Sequence, residues 1–517
     1  MRATVALAGV FVFAVAGAAS ASLPAAPSPA MLVELTRADP SSLQGLHAAG
    51  AVRIASNPAI WRLPASTATR VLTRLEQAHL VRSLARDRLL APAGAVVSAI
   101  GPPGTEWWRA ALDADGLKPP GPGRPVTVVD TGLDLSHAEF AKRANTIALN
   151  RQQITSPDDF HGTAISSLIG AQGEKIRGIY PRARLYEWDA SEKDGLTLSA
   201  IIAGIDAAAR IGRGVINLSF GSDADVPMLR DVIFEAIRRG SLVIAASGDS
   251  RGFDFSPYPA EYPHVLTVAA TDRHNQTASF SSPSSSIDVA APGVDVEVAV
   301  PHSHDRSGYV TAGGTSYSAA LVSGALAWIW TLRPRLDNTQ LLTLVRRTAK
   351  RLGTRSPSNE TGYGLLDVRA ALSAPPPPRD PLEPNDDVRL VRPGGLFAAG
   401  SPLLTTARQR GALLRARLDQ NKDPADVYRA LIPAHGSLML AVTMQSGDIA
   451  LRVWGPRTPT ILERGRVEKR DLLVSRQLKR RQRIEIPNRG DAPQLVYVDV
   501  SAGVSRTASY SLRLATN

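Results

Sequence analysis

From Pro125 onward short apolar runs alternate with longer amphipathic or apolar stretches, the signature of βαβ units wound about a parallel sheet. The spacing predicts strands at Val126 to Asp130, Leu185 to Trp188, Val215 to Ser219, Leu242 to Ala246 and Val265 to Ala270. It predicts helices at about Leu198 to Ile211 and Pro227 to Arg239. Two more, one running from Ser316 to Leu332 and one from Asn338 to Ala349, close an α/β domain over residues 124–374. Upstream, Met31 to Leu35, Ser41 to Ala49, Ala51 to Ile54, Ile60 to Leu63, Ser66 to Ala78 and a strand starting at Leu80-Val81 follow one another in the order β-α-β-β-α-β. They predict a small α+β unit within residues 22–91. Gly and Pro clusters make residues 92–123 a linker. The four prolines Pro375 to Pro378 can join neither a helix nor a central strand, so 375–381 reads as a second linker. Beyond it, Asp426 to Leu431, Ser437 to Thr443, Ile449 to Trp454 and Gln494 to Val500 alternate or run apolar between turn residues, predicting a β-sandwich over 382–517.

The N-terminus adds an address. Met1 and Arg2 precede an apolar run from Val5 to Val15 and the small residues Ala19-Ser20-Ala21, the pattern of a secretory signal at residues 1–21. The run is too short to cross about 30 Å of hydrocarbon, so the expectation is a secreted, extracellular protein. The chain has no cysteine. Packing or bound ions must therefore do what disulfides do in other exported proteins, and cysteine catalysis and thiolate metal sites are excluded. Of the formal charge of +12, residues from Asp380 onward hold +8, with 22 Lys/Arg against 14 Asp/Glu.

Three short motifs carry the candidate chemistry. Val128-Val129-Asp130-Thr131-Gly132 ends a predicted strand, at the sheet edge where α/β ligand sites form. His161-Gly162-Thr163 starts an apolar helix that runs on from Ala164 to Ala171. Gly314-Thr315-Ser316 opens the long apolar helix, where backbone N–H groups and the helix dipole favour developing negative charge. Each alone is a common structural motif; together they are the carboxylate, imidazole and hydroxyl needed to activate a serine.

The text around them resembles the subtilisin-like serine proteases over about Val126 to Leu372. The resemblance includes Val215-Ile216-Asn217-Leu218-Ser219-Phe220-Gly221, Tyr258-Pro259-Ala260-Glu261-Tyr262-Pro263, Ser279-Phe280-Ser281-Ser282, Ala291-Pro292-Gly293 and Gly362-Tyr363-Gly364-Leu365. It implies a subtilisin-like parallel sheet flanked by helices, and a serine endopeptidase acting on protein or peptide substrates with no required cofactor. Asp130 would orient His161, His161 would take the proton of Ser316, and Ser316 would attack the carbonyl. Ser219, Phe220 and Gly221 would line the substrate strand. The N-terminal unit resembles, by pattern and position, the inhibitory prosegment of these enzymes, an intramolecular inhibitor in a self-inhibited precursor. Glu106-Trp107-Trp108 resembles the aromatic entry segment of the mature form.

The chain departs from that family in several places. Tyr317-Ser318-Ala319-Ala320-Leu321 and Ala164 replace usual residues; they read as helix-packing changes that leave the triad untouched. The segment Gln172 to Gly178 is shorter than the family's frequent calcium loop and offers one carboxylate, Glu174, so no calcium is predicted there. In Ala246-Ser247-Gly248-Asp249 an aspartate stands where the family has the asparagine that donates to the oxyanion. An ionised carboxylate cannot donate, whereas a protonated one has a single O–H to give, which predicts an acid-shifted or narrow pH profile.

The C-terminal region, with Leu382-Glu383-Pro384-Asn385-Asp386-Asp387, Asp426-Val427-Tyr428 and Gly447-Asp448-Ile449-Ala450-Leu451, resembles the bacterial pre-peptidase C-terminal domain. Its acidic cluster could hold calcium, but solvated turn carboxylates are the plainer expectation, and no metal ligand is predicted. Leu478 to Arg483 could touch an anionic cell surface; without interleaved aromatics it does not predict nucleic-acid binding. Asp249 also leaves room for a second reading, a catalytically weak pseudoprotease or cell-surface binding protein on the same fold.

Overall fold

The computed structural model describes residues 30–517, apart from 38, 93–95, 98–105, 155–156, 193–194, 252–257, 462–470 and 479. The expected signal lies outside the described residues. At the centre is a seven-stranded sheet in the order Val289–Pro292, Leu266–Thr271, Leu242–Ala246, Val215–Leu218, Pro125–Asp130, Arg184–Asp189 and Thr146–Ala148. Every neighbouring pair is parallel. Helices cover both faces, so the central strands are buried on both sides and run apolar without alternation. One face packs under His161–Gly170 and Thr315–Leu332, the other under Leu198–Ile211 and Pro227–Arg238. Pro125–Asp130 comes first in sequence yet lies inside the sheet. The next two strands are laid to one side of it and the last four to the other. The order therefore reverses between Pro125–Asp130 and Val215–Leu218, and the crevice at their carboxyl ends is the expected ligand position.

The N-terminal unit forms the antiparallel sheet Val52–Ala55, Ala59–Leu63, Met31–Leu35, Val81–Arg86 with two helices, Pro40–Ala48 and Ala65–Gln77. It docks on the helices Leu198–Ile211 and Pro227–Arg238. Asp87 supplies a polar anchor: it accepts from the backbone N–H and the hydroxyl of Ser199 at 3.0 and 2.8 Å, meeting a free donor of that helix's first turn. Glu34 is a second buried contact. Ser83 donates to it at 2.8 Å, Arg82 Nε lies 3.1 Å away, and Asp231, held bidentately by Arg389 at 2.6 and 2.9 Å, faces it from the large domain.

Burial, reinforced by Asp231, pushes the Glu34 carboxyl up to about 8. The raised value means that this group's contribution is fully present below the ordinary carboxylate range and is lost as pH climbs through about 8. Denaturant unfolding of the full chain carrying Ser316→Ala, which cannot cut itself, should thus show stability falling between pH 5 and pH 9, and adding Glu34→Gln should flatten that fall. Equal pH dependence in both proteins contradicts the assignment.

After residue 381 two four-stranded antiparallel sheets face each other around an apolar core. Their orders are Gly411–Asp419, Thr507–Thr516, Ser437–Ser446, Arg481–Pro487 and Ala425–Ile432, Gln494–Ala502, Ile449–Trp454, Leu472–Gln477. Arg481 and Arg483 are exposed on an edge strand, the solvated position expected of the basic run. The acidic segment is a correction. Glu383, Asp386 and Asp387 are buried, not solvated, because the Asn385 carbonyl accepts from Val427 N–H at 2.9 Å and Asp387 caps the short helix Val388–Val391. The segment is thereby tucked under the sandwich. Among the described residues no helix is long and apolar enough to cross a membrane.

Candidate active site

Asp130 ends its strand at the switch point, 1% exposed, and its Oδ1 lies 2.8 Å from His161 Nδ1. The Thr131 N–H donates to the same oxygen at 2.7 Å. Gly162 lets the histidine's helix approach this turn: a Cβ there would lie 2.3 Å from the Gly132 carbonyl oxygen. Ser316 sits in the first turn of the helix Thr315–Leu332, whose leading N–H groups are free of intrahelical partners. Ser316 is fully buried, and its Oγ lies 3.4 Å from the Ser219 carbonyl. That helix is buried almost throughout, and its serine hydroxyls find partners: Ser318 donates to the Ala291 carbonyl and Ser323 to Asn217 Oδ1, both at 2.9 Å. The three predicted residues, on three separate elements, thus converge on one crevice.

Asp249 faces the same crevice. Its Oδ1 accepts from Thr315 N–H at 2.8 Å, while Oδ2 is shielded and without a partner among the described residues. Burial pushes this carboxyl up to about 6, against the lowering effects of the Thr315 hydrogen bonds and His161. Oδ2 is accordingly the oxygen free to carry a proton.

Tyr317 corrects the expectation that the residues after Ser316 leave the triad untouched. Its ring centroid is 6.1 Å from that of His161, and its hydroxyl is buried without a partner among the described residues. Burial and the nearby carboxylates of Asp249 and Asp130 hold its phenol above the usual range.

The substrate-strand residues lie beside Ser316. Phe220–Gly221 pairs antiparallel with Leu89–Pro92, Phe220 opposite Pro92 and Gly221 opposite Ala91. On its other edge Leu89–Pro92 pairs with Gly195–Thr197, Leu90 opposite Leu196. The Phe220 side chain is 1% exposed and belongs to the core, so this residue offers the crevice its backbone. Leu90 is buried in the same apolar cluster. Past the crevice Val96–Val97 pairs with Ala312 and Gly313, just before Ser316. Residues 92–123 are therefore more than a linker: Pro92 ends a strand, Val96–Val97 forms another, and Trp108–Ala111 is a short helix.

In the loop Gln172 to Gly178 the N–H groups of Gly173, Lys175 and Ile176 donate to Glu139 at 2.8 to 3.1 Å. The loop is organised about an anion, the opposite of a cation's requirement.

The model of the subtilase family matches residues 121–364. Subtilisin BL of Lederbergia lenta is 35% identical over 254 residues, 48% of this chain and 91% of that protein. Subtilisin DY of Bacillus licheniformis is 32% identical over 266 residues, 50% of this chain and 94% of its own. In fold, the chain is similar to fervidolysin of Fervidobacterium pennivorans, a keratinolytic enzyme related to subtilisin. The TM-score is 0.60 at 18% identity, over 89% of this chain and 85% of that one. It is also similar to the epidermin leader peptide processing protease of Staphylococcus aureus, with a TM-score of 0.56 at 17% identity, over 68% of this chain and all of that one. The sequence match, together with an aspartate, histidine and serine converging at the switch point, makes the chain a member of the subtilase family, a serine endopeptidase of subtilisin type.

Proposed function

We propose that the protein is a secreted endopeptidase made as a self-inhibited precursor, with Ser316 as nucleophile, His161 as base and Asp130 orienting His161. His161 Nε2 takes the Ser316 proton as Oγ bonds to the substrate carbonyl carbon. The oxyanion is met by the first N–H groups of the Ser316 helix and by Asp249 when Oδ2 is protonated. Collapse of the intermediate expels the amine with the proton from His161, and water then cleaves the acyl-enzyme. Bond cleavage by these groups needs no metal. The basic edge strand Arg481–Pro487 suits an anionic surface.

One observation carries the precursor reading. The chain's own Leu89–Pro92 occupies the strand position beside Ser219–Gly221, and Val96–Val97 leaves on the far side of Ser316. This supports residues up to about 91 as the prosegment, the processing cut between Pro92 and Val96, and an apolar preference at the position Leu90 fills. The test is to incubate the purified chain at pH 5 and pH 7.5 and sequence the product. A new N-terminus at residues 93–96 is expected. A chain intact at both values favours the binding-protein reading, to which Asp249 lends its one argument.

A further inference from the structure

The outer face of the sandwich sheet that holds Arg481–Pro487 is basic. Its strands bring Arg415, Ser511, Thr443 and Arg481 into one row, and Leu413, Arg513, Ala441 and Arg483 into the next. The alternate residues, among them Ala416, Leu512, Val442 and Ile486, are buried against the second sheet. The period of two therefore turns all four arginines to the same side, and all four are exposed. Strands lie about 4.8 Å apart and every second residue about 7 Å further on, so the four Cα atoms span about 14 Å by 7 Å.

The protein itself does not neutralise this charge. None of the four guanidinium groups pairs with a carboxylate among the described residues. Two acids share the face, and both are engaged. Glu485 accepts from the Ser437 hydroxyl at 2.6 Å. Asp419, at the domain junction, accepts from the N–H groups of Asn421 and Lys422 at 3.0 and 3.2 Å. An apolar side chain stands among the cations instead: Leu413, 59% exposed, lies directly opposite Arg513. Cations spread in two dimensions over a sheet face, rather than along one track, suit a planar array of anionic headgroups. The exposed leucine among them suits the acyl region beneath.

We propose that this face docks the protein on an anionic lipid bilayer, with Arg415, Arg481, Arg483 and Arg513 on the headgroups and Leu413 entering the interface. Such docking rests on the anionic-surface reading of Arg481–Pro487 and narrows it to lipid. It uses no residue of the crevice at Ser316, so docking and catalysis are separable.

The test uses the full chain carrying Ser316→Ala, which cannot cut itself, mixed with vesicles of phosphatidylcholine alone or with an equal part of phosphatidylglycerol. At about 0.1 M salt, binding to the anionic vesicles should exceed binding to the neutral ones by about 10²-fold or more. It should fall away at about 1 M, where the screening length is about 3 Å. Arg483→Gln and Arg513→Gln should each weaken it about fivefold. Leu413→Thr should cost a similar factor with no change of charge. Arg70→Gln, which removes an exposed charge from the N-terminal unit, should cost almost nothing. Every one of these positions is exposed, so Tm should not move. The docking is overturned if both kinds of vesicle bind alike, if Arg70→Gln weakens binding as much as Arg513→Gln, or if Leu413→Thr has no effect. Binding of sulfated polysaccharide or duplex DNA without vesicle binding also overturns it, while sparing the anionic-surface reading. A chain that binds none of the three removes both.

Discussion

Asp249→Asn should raise kcat by about 10²-fold at pH 8 and leave it nearly unchanged at pH 5. A carboxyl whose value lies at about 6 is protonated in roughly one molecule in a hundred at pH 8 and in nine of ten at pH 5. Only the protonated form can donate, and loss of one oxyanion donor costs about 10²–10³-fold. The geometry says which atom is at issue: Thr315 N–H fixes Oδ1, so the variant's amide nitrogen takes the place of Oδ2 and donates at every pH. The gain should therefore grow about tenfold per pH unit above 6. In the wild type the rate should therefore fall on the alkaline side, as Asp249 loses the proton it donates. Peptide hydrolysis measured from pH 5 to pH 9 on the two processed proteins decides the matter. A ratio of rates that does not vary with pH would mean that the Asp249 proton has no part in the reaction.

The central strands were legible because burial on both faces demands uninterrupted apolar runs such as Leu242–Ala246, with no competing pattern. The edge strands Thr146–Ala148 and Val289–Pro292 were not. They are three and four residues long, and a strand that short owes its conformation to its neighbour's hydrogen bonds more than to its own side chains. The same physics hid Leu89–Pro92 at the end of the N-terminal unit, where the sequence pattern predicts no strand. Its partners at Gly195–Thr197 and Phe220–Gly221 are more than a hundred residues away, and backbone pairing needs no pattern in the strand that is added.

At the site, residue types and order revealed Asp130, His161 and Ser316, because each stands at the end of a predictable element. The contact of Tyr317 with His161 was out of reach, since it depends on which way the first turn of a buried helix faces. The acidic segment was misjudged for a related reason. A turn rich in Asp and Glu is solvated by default, and only the position of the sandwich strand Ala425–Ile432 over it decides otherwise. Asp249 lies between these cases: the sequence located a carboxyl where an amide is usual, and the fold supplied the burial that lifts it toward neutrality.

Ser316→Ala should reduce kcat by about 10⁶-fold, the scale that loss of the nucleophile carries in subtilisins, and should leave the precursor uncut. His161→Ala should cost nearly as much, and the double variant little more. Serine and histidine act here on one proton, so once either is gone the other has nothing left to contribute. Because neither variant frees its own crevice, each is first cut between Pro92 and Val96 by a trace of the wild-type enzyme, which is then inactivated covalently before a chromogenic peptide is assayed. About 10³-fold catalysis over water should survive in all three, since the helix N–H groups and the strand at Ser219–Gly221 still bind the substrate. Multiplicative losses in the double variant would show that His161 and Ser316 work separately, and the geometry that brings them to one crevice would then need another explanation.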